Sequence, residues 1–155
     1  MKAPEPKTAR DVLNAYLLQK GLKRSGQREV ILEALEKSKK HLSVDDIFAV
    51  VHNRHPDIGR ATVYRTVKVL QDAGLVSELA LEGRSRFEIE WKREHHDHFI
   101  CESCGSIFEF VNPEIERLQD ESAAEIDFAI TRHKHQIFGL CKDCRRNPPK
   151  RKVRA

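Results

Sequence analysis

The sequence has no long apolar run, and this absence excludes two classes of protein. The longest aliphatic stretch, IFAVV, is far too short to cross a membrane. The N-terminal segment MKAPEPKTARDVLNAY has no apolar run of the kind that a signal peptide requires. A repeat of solenoid length is also absent, so a repeat architecture is not expected. We therefore expect a globular protein located in the cytoplasm.

Cysteine is scarce as well, with four residues in a chain of 155. In a reducing compartment, four cysteines are expected to bind a metal rather than to form disulfides. They are arranged as two CxxC pairs, which contain Cys101, Cys104, Cys141 and Cys144. Two such pairs of thiolates complete a tetrahedron, and four soft ligands with no open position favour structural zinc. Two disulfides or four free thiols are the alternatives.

Charge is unevenly distributed along the chain. Residues 1–90 carry 16 Lys and Arg against 13 Asp and Glu, whereas residues 91–144 carry 6 against 11. Residues 145–155 carry 6 basic residues and no acidic ones. The basic N-terminal part suits a polyanionic partner and the acidic, histidine-rich middle suits cations, although ordinary solvated faces are the alternative. We predict that the basic tail is disordered and adds non-specific affinity for DNA.

The first 90 residues have the pattern of a winged helix-turn-helix. Helices are predicted at 8–20, at 26–37, within HLSVDDIFAVVHNRH after the N-cap Ser43, and within GRATVYRTVKVLQDAGL. The segments LVSELALEG and RSRFEIEW alternate about a turn near Glu82–Gly83, which is typical of a hairpin. The helix before this hairpin would be the recognition helix. Its outward, DNA-facing residues are expected to be Arg60, Thr62, Tyr64, Arg65 and Lys68.

The composition changes after about residue 91, and a smaller unit is predicted there. The segment HFICESCGSIFEFV predicts two strands, and PEIERLQDESAAEI predicts a helix with Asn112 as its N-cap. The segment FAITRHKHQIFGLC predicts one long strand. This βαβ-like unit is small enough to need a metal, a partner subunit or both.

The residues HHDH, at 95–98, are separated from the first CxxC pair by only two residues. If this segment is extended, His95 and Asp97 point to one face and His96 and His98 point to the other. Two ligands hold a metal poorly, so each pair needs further ligands from elsewhere. The candidates are His41, Glu88, Glu109, Glu116, His133 and His135. Such mixed nitrogen and oxygen sites suit iron(II), manganese(II) or zinc, whereas a solvated polar loop is the alternative.

Four motifs together resemble the ferric uptake regulator (Fur) family of bacterial metal-responsive repressors. They are GRATVYRTV, HHDHFICESCG, the downstream FEF and the second CxxC, and the resemblance spans about residues 15–144. It implies an α+β fold, with a winged-helix DNA-binding domain at 1–90 and a small α/β dimerisation domain at 91–144. It also implies a homodimer, without enzymatic activity, that represses iron-uptake genes by binding A·T-rich palindromic operators when loaded with divalent metal. Association into a tetramer stays open.

The resemblance further implies three metal sites. Structural zinc would be held by Cys101, Cys104, Cys141 and Cys144. A regulatory hinge site for Fe2+ or Mn2+, with Zn2+ as an alternative, would use His41, Glu88, His96, His98 and Glu109. A site within the dimerisation domain would use His95, Asp97, Glu116 and His133. On the DNA side, the resemblance places Tyr64 and Arg65 at the major groove or its backbone and Lys23 near the minor groove.

Two ligand positions are ambiguous. Glu88 and Glu90 compete for one role, as do His133 and His135, and we prefer Glu88 and His133 from their spacing to neighbouring motifs. Peroxide-sensing relatives typically carry aspartate at the positions of Glu88 and Glu109, so two glutamates favour an iron regulator. A peroxide-, zinc- or manganese-sensing regulator is the alternative within the family. A zinc-dependent hydrolase and a metal buffer are the alternatives of another class.

Overall fold

The computed structural model describes residues 7–38, 40–81 and 83–147. Glu82 of the predicted turn and residues 148–155 of the predicted disordered tail lie outside the described residues. The chain divides into two compact units between Arg93 and Glu94, close to the boundary expected after residue 90. Among the described helices, none combines the length and the apolar character that a membrane span requires.

Unit 1 contains four helices: α1 (Ala9–Gln19), α2 (Gly26–Ser38), α3 (Val44–His52) and α4 (Arg60–Asp72). Thr8 with Asp11 forms a capping box at the start of α1, and Ser43 with Asp46 forms one at the start of α3. These boxes satisfy backbone N–H groups that the first helical turn leaves without partners. The apolar stripes of the helices meet in one core, which includes Leu13, Leu17, Ile31, Leu35, Ile47, Val51, Val63, Val67 and Leu70.

A two-stranded hairpin follows α4. Strands β1 (Val76–Leu81) and β2 (Arg84–Ile89) pair antiparallel, and Gly83 adopts a positive φ of 68° at the turn. Leu42 also forms an isolated bridge with Phe87, which ties the segment before α3 to the hairpin. The predicted order of helices followed by a wing is therefore confirmed.

Unit 2 is a three-stranded sheet with two helices. Its elements are β3 (Asp97–Cys101), β4 (Ile107–Phe110), α5 (Pro113–Ala124), β5 (Gln136–Gly139) and α6 (Lys142–Arg146). The strand order is β4-β3-β5, with β3 antiparallel to β4 and parallel to β5. The side chain of Asn112 accepts a hydrogen bond from the Glu114 N–H at 3.0 Å, so the predicted N-cap of α5 is confirmed.

The prediction of one long strand near the C-terminus is wrong. Only Gln136–Gly139 forms a strand, and residues 128–135 have no regular secondary structure. The reason is the length of the partner, because β3 offers backbone groups to β5 only from His98 to Cys101. A segment that precedes this register has no strand beside it, so its alternating pattern cannot be used for pairing. The short helix α6 was not predicted.

Candidate metal sites and nucleic-acid interface

The four cysteines form a compact cluster within unit 2, here called the cysteine clasp. One Sγ atom from each lies within 4.8 Å of the other three. Cys101 ends β3, Cys104 follows in the adjacent turn, and Cys141 and Cys144 come from the start and the body of α6. The parallel pairing of β3 with β5 brings the two CxxC pairs together, since Cys101 lies opposite Gly139. All four predicted zinc ligands are therefore in one place.

The electrostatics of the clasp fit a cation. A hydrogen bond from the backbone N–H of Cys141 to Sγ of Cys101, at 3.3 Å, lowers the pKa of the Cys101 thiol to about 6. A hydrogen bond to Ser106 also lowers the pKa of Cys104. For Cys144, a hydrogen bond with Ser103 lowers the pKa, but the neighbouring thiols and burial outweigh it and raise the pKa to about 12. Several neighbouring thiols cannot all ionise unless a positive charge lies between them. Zn2+ would supply that charge.

A second cluster in unit 2, here called the Asp97 site, contains His95, Asp97, Glu116 and His133. One ligand atom from each lies within 4.8 Å of the others. Asp97 begins β3, Glu116 lies in the first turn of α5, and His133 comes from the irregular segment before β5. His95 Nε2 lies 3.4 Å from Asp97 Oδ1 and 3.3 Å from Glu116 Oε1. His133 Nε2 lies 3.4 Å from Glu116 Oε2 and 3.9 Å from Asp97 Oδ1.

Unpartnered buried atoms in this cluster indicate what it can hold. Within the described residues, neither oxygen of Asp97 has a hydrogen-bond partner, although the side chain is only 1% exposed. Glu116 Oε1 and His133 Nε2 are also buried without such a partner. Buried polar atoms without partners are costly, and a divalent cation would satisfy Asp97 Oδ1, Glu116 Oε1 and His133 Nε2. The residues of the Asp97 site therefore fit a metal with nitrogen and oxygen ligands.

Unit 1 contributes two of the residues predicted for the hinge site. His41 Nε2 lies 3.2 Å from Glu88 Oε2, and Glu88 is 3% exposed. The alternative Glu90 is exposed to solvent. Glu88 also accepts a hydrogen bond from Ser77 Oγ at 3.3 Å and pairs with Arg93. Neither contact was predicted from the sequence. The register of the hairpin, which places Ser77 opposite Glu88, is the signal that could have indicated the first of them.

Unit 2 contributes the remaining three residues predicted for that site. The imidazole rings of His96 and His98 lie 4.9 Å apart between centroids, and His96 Nε2 lies 3.9 Å from Glu109 Oε1. Glu109 lies opposite His98 in the β3–β4 ladder. The pairs predicted from strand alternation thus have different neighbours: His95 contacts Asp97 and Glu116, whereas His96 lies near His98 and Glu109.

The candidate nucleic-acid interface lies on α4. Arg60, Tyr64, Arg65 and Lys68 are exposed, whereas Thr62 is partly buried. Some of the cations have partners: Arg60 pairs with Asp45 at 2.8 Å, and Lys68 lies 3.5 Å from Glu78. Tyr64, Arg60, Arg65, Ala61 and Val44 line an open depression of about 710 Å³.

Lys23 lies apart from α4, in the exposed segment between α1 and α2. Its backbone carbonyl accepts a hydrogen bond from the Arg28 guanidinium.

A winged-helix unit joined to a unit with clustered metal ligands defines a metal-responsive DNA-binding regulator. The sequence profile of the ferric uptake regulator family matches residues 19–138. The chain is 42% identical over 127 residues to a ferric uptake regulation protein of Campylobacter upsaliensis, covering 80% of this chain and 81% of the relative. It is 33% identical over 131 residues to a peroxide-responsive repressor of Staphylococcus epidermidis, covering 84% and 87%. The chain belongs to the ferric uptake regulator family, whose members are transcription regulators and not enzymes.

Solved structures agree with this assignment. The ferric uptake regulator of Helicobacter pylori, described as having three functional metal binding sites, superposes with a TM-score of 0.78. It is 32% identical, and the match covers 92% of this chain and 97% of that one. The ferric uptake regulator of Francisella tularensis with iron gives a TM-score of 0.71 at 37% identity, covering 81% and 96%. These structures confirm the α+β fold.

Proposed function

We propose that this chain is an iron-responsive transcriptional repressor acting in the cytoplasm. It binds A·T-rich palindromic operators of iron-uptake genes as a homodimer when it is loaded with divalent metal. The observation that carries the proposal is that the winged-helix unit holds a buried Glu88 against His41, and that unit 2 groups His96, His98 and Glu109. These two halves are complementary as ligands for one metal ion.

The proposed mechanism is thermodynamic linkage between metal and DNA. A hinge site that takes His41 and Glu88 from unit 1 and His96, His98 and Glu109 from unit 2 binds metal tightly only when the units are closed. Closure holds the two recognition helices of the dimer at the spacing of successive major grooves. Metal and operator then raise each other's affinity by the same factor.

Iron is the metal proposed for the hinge site. Glu88 and Glu109 support it, because peroxide-sensing members of the family typically carry aspartate at these positions. Sequence identity also supports iron. It is 42% to a ferric uptake regulation protein and 33% to a peroxide-responsive repressor over a similar length. Nitrogen and oxygen ligands also accept Mn2+ and Zn2+, so the metal that is available contributes to the choice. A peroxide-, manganese- or zinc-sensing regulator is the second candidate.

The other two sites are proposed to support the fold. The cysteine clasp would hold structural zinc, since four thiolates leave no coordination position for a substrate. The Asp97 site would hold a second divalent metal within unit 2, because its buried oxygens otherwise have no partners among the described residues. Both sites use ligands from distant parts of the sequence and so cross-link a unit with few buried apolar residues.

Homodimerisation is proposed for unit 2. Large apolar side chains on this unit are exposed, among them Ile126 at 74% and Phe128 at 63%. The exposed set on the described part of this unit is Phe99, Phe108, Val111, Leu118, Ile126, Phe128, Ile130, Phe138 and Leu140. An apolar surface of this extent on a small unit is typical of a subunit interface. A second copy of the same unit is the partner that fits a two-fold symmetric regulator.

DNA binding is proposed for α4 and the segment before α2. Arg65 and Tyr64 would enter the major groove, where a guanidinium can pair with guanine and a ring can contact thymine methyl groups. Arg60, Thr62 and Lys68 would contact the phosphate backbone, and Lys23 would lie near the minor groove. The depression on α4 supports this arrangement, because its lining combines the apolar Val44 and Ala61 and the ring of Tyr64 with two arginines.

His96→Ala tests the hinge site. We expect this variant to lose metal-dependent operator binding and to keep its fold and dimeric mass. An electrophoretic mobility shift on an A·T-rich inverted repeat, with and without Fe2+, Mn2+ or Zn2+, measures the effect. His52→Ala is the matched control, since His52 lies on α3 near the backbone carbonyl of Ile58 and is not a proposed ligand.

Two outcomes would contradict the proposal. Undiminished metal dependence in His96→Ala would exclude the hinge assignment. Operator binding by the unmodified chain that responded to Zn2+ and not to Fe2+ or Mn2+ would identify a zinc regulator instead.

A further inference from the structure

His135 is a third histidine near Asp97, after His95 and His133, and it lies near the other oxygen of the carboxylate. His135 Nδ1 lies 3.6 Å from Asp97 Oδ2. By contrast, His95 Nε2 and His133 Nε2 lie 3.4 Å and 3.9 Å from Asp97 Oδ1. The two oxygens of Asp97 therefore have separate neighbours, with the ligand histidines on Oδ1 and His135 on Oδ2.

Burial makes the second oxygen important. Asp97 is 1% exposed, and within the described part of the chain both its oxygens and His135 Nδ1 are buried without a hydrogen-bond partner. A carboxylate that gives one oxygen to a cation still has a buried second oxygen that needs a donor. Carboxylates that bind metals are commonly oriented by such a second hydrogen bond. A small approach of His135 Nδ1 to Oδ2 would satisfy both buried atoms at once.

The position of His135 is set by the sheet and not by the other residues of the Asp97 site. Its backbone carbonyl accepts a hydrogen bond from the His98 N–H at 3.1 Å, directly before the paired residues of β5. Its ring packs edge-on against Phe110, with 6.1 Å between centroids. The four ligand atoms of His95, Asp97, Glu116 and His133 lie within 4.8 Å of one another, so they already supply the four ligands of a tetrahedral site without it.

We propose that His135 is a positioning residue for the metal of the Asp97 site, whose Nδ1–H donates to Asp97 Oδ2 and directs Oδ1 towards the cation. His133 and His135 then have distinct roles, one as a ligand and the other as a support for a ligand. The inference rests on the proposed function, because it requires that the Asp97 site holds a metal.

Cobalt binding to the full chain tests this role. The zinc-loaded protein carries His96→Ala, so that the hinge site is disabled, and Co2+ affinity is measured by competition with a chelator. The absorption spectrum of Co2+ reports its coordination number. The variants compared in this background are His135→Leu, His135→Asn, His133→Leu and the control Lys134→Ala, whose side chain is exposed.

We expect His135→Leu to weaken Co2+ binding by roughly 10- to 100-fold. His135→Asn keeps an N–H donor and is expected to restore most of the affinity. Both His135 variants should keep the spectrum of the parent, because the set of ligands is unchanged. His133→Leu should change the spectrum because it removes a ligand, and Lys134→Ala should match the parent.

Each contrary outcome has its own meaning. Parental affinity in His135→Leu would overturn the positioning role, and a changed spectrum in that variant would make His135 a ligand instead. If thermal unfolding shows that His135→Leu does not fold, the affinity of His135→Asn tests the proposal instead. A loss of Co2+ affinity beyond 100-fold in a folded His135→Asn would overturn the proposal. Absence of Co2+ binding in the parent would instead show that the Asp97 site of the proposed function is wrong.

Discussion

At the scale of single residues, the alternation of side chains along β3 places its metal-ligating residues in different clusters. Asp97 and His98 are neighbours in sequence, and both are buried within unit 2. Because side chains in a strand alternate between faces, Asp97 contacts His95 and His133 while His98 lies beside His96. Cys101 then ends the same strand and belongs to the clasp. A shift of one residue in the register of β3 would exchange these assignments, so the register must be held firmly.

The clasp gives a prediction at this scale. We expect Cys101→Ser to lose zinc and to unfold unit 2 or dissociate the dimer, because binding of a structural metal supplies folding free energy. Zinc content per chain and thermal unfolding measure the effect. Glu102→Ala, at an exposed side chain of the same CxxC turn, is the control and should keep its zinc. A Cys101→Ser variant that stayed a stable dimer at wild-type melting temperature would refute the structural role.

Much of the candidate site could be predicted at the residue scale, and the reasons are local. The CxxC spacing and the alternation of His95 to His98 are properties of short segments, so they can be read from the sequence. The neighbours of Asp97 could not be ranked in this way. His133 and His135 are two residues apart, and their different contacts depend on the path of an irregular segment that no periodicity describes.

At the scale of elements, capping holds α3 in place beside the wing. The Ser43 N–H donates to Asp46 Oδ2 at 2.9 Å, and the Asp46 N–H donates to Ser43 Oγ at 3.1 Å. Asp46 also pairs with Arg86 of β2 at 2.6 Å. Asp46 therefore closes the first turn of α3 and connects this helix to the wing that follows α4.

Asp46→Ala should destabilise unit 1 by about 1 kcal/mol, the typical cost of a lost helix cap. Hydrogen bonds from Ser43, together with the nearby Arg86, lower the pKa of Asp46 below its ordinary value. A carboxylate with a lowered pKa stabilises the fold above the ordinary aspartate pKa of about 3.9, and this contribution is lost as pH falls through the lowered value. The difference between wild type and variant should therefore shrink below about pH 4.

Urea denaturation at neutral pH and at a series of acidic pH values measures this difference. Asp45→Ala is the matched control, because Asp45 lies in the same helical turn. Its ion pair with Arg60 is exposed to solvent and contributes little to the free energy of unfolding. Equal destabilisation by the two variants would contradict the capping role of Asp46.

The elements themselves were largely predictable, because helix caps and alternating strands leave local signals. The one wrong element, the long strand before the second CxxC pair, failed for a non-local reason. Residues 128–135 alternate as a strand would, but the length of β3 decides how many residues of β5 can pair. Asp127, with a positive φ of 54°, redirects the chain after α5 and precedes this irregular segment.

At the scale of the whole molecule, the two units differ in what stabilises them. Unit 1 has a continuous apolar core built from its helices and the wing. In unit 2, the described residues place few apolar side chains in the interior, with Ile100 and Cys101 buried and most large apolar side chains exposed. We therefore expect unit 2 to need its metal sites and a partner surface for stability, whereas unit 1 has an apolar core of its own.

Phe128→Glu should therefore dissociate the dimer. A charge at a side chain that is 63% exposed in the single chain costs little there, but it would be buried at the interface of two copies. Sedimentation equilibrium measures the mass, which would also distinguish a dimer from a tetramer. Val50→Glu, at an exposed apolar residue of α3, is the control and should leave the mass unchanged. An unchanged mass in Phe128→Glu would place the subunit interface elsewhere.

The parallel pairing of β3 with β5 has a consequence for the newly made chain on the ribosome. β3 is the central strand of unit 2, yet one of its neighbours is synthesised more than 30 residues later, after β4 and α5. During translation, unit 1 can fold first, as N-terminal domains generally do. Until Cys141 and Cys144 have been synthesised, Cys101 and Cys104 remain free thiols without the other two zinc ligands. Zinc supply at that moment would then set how many new chains mature.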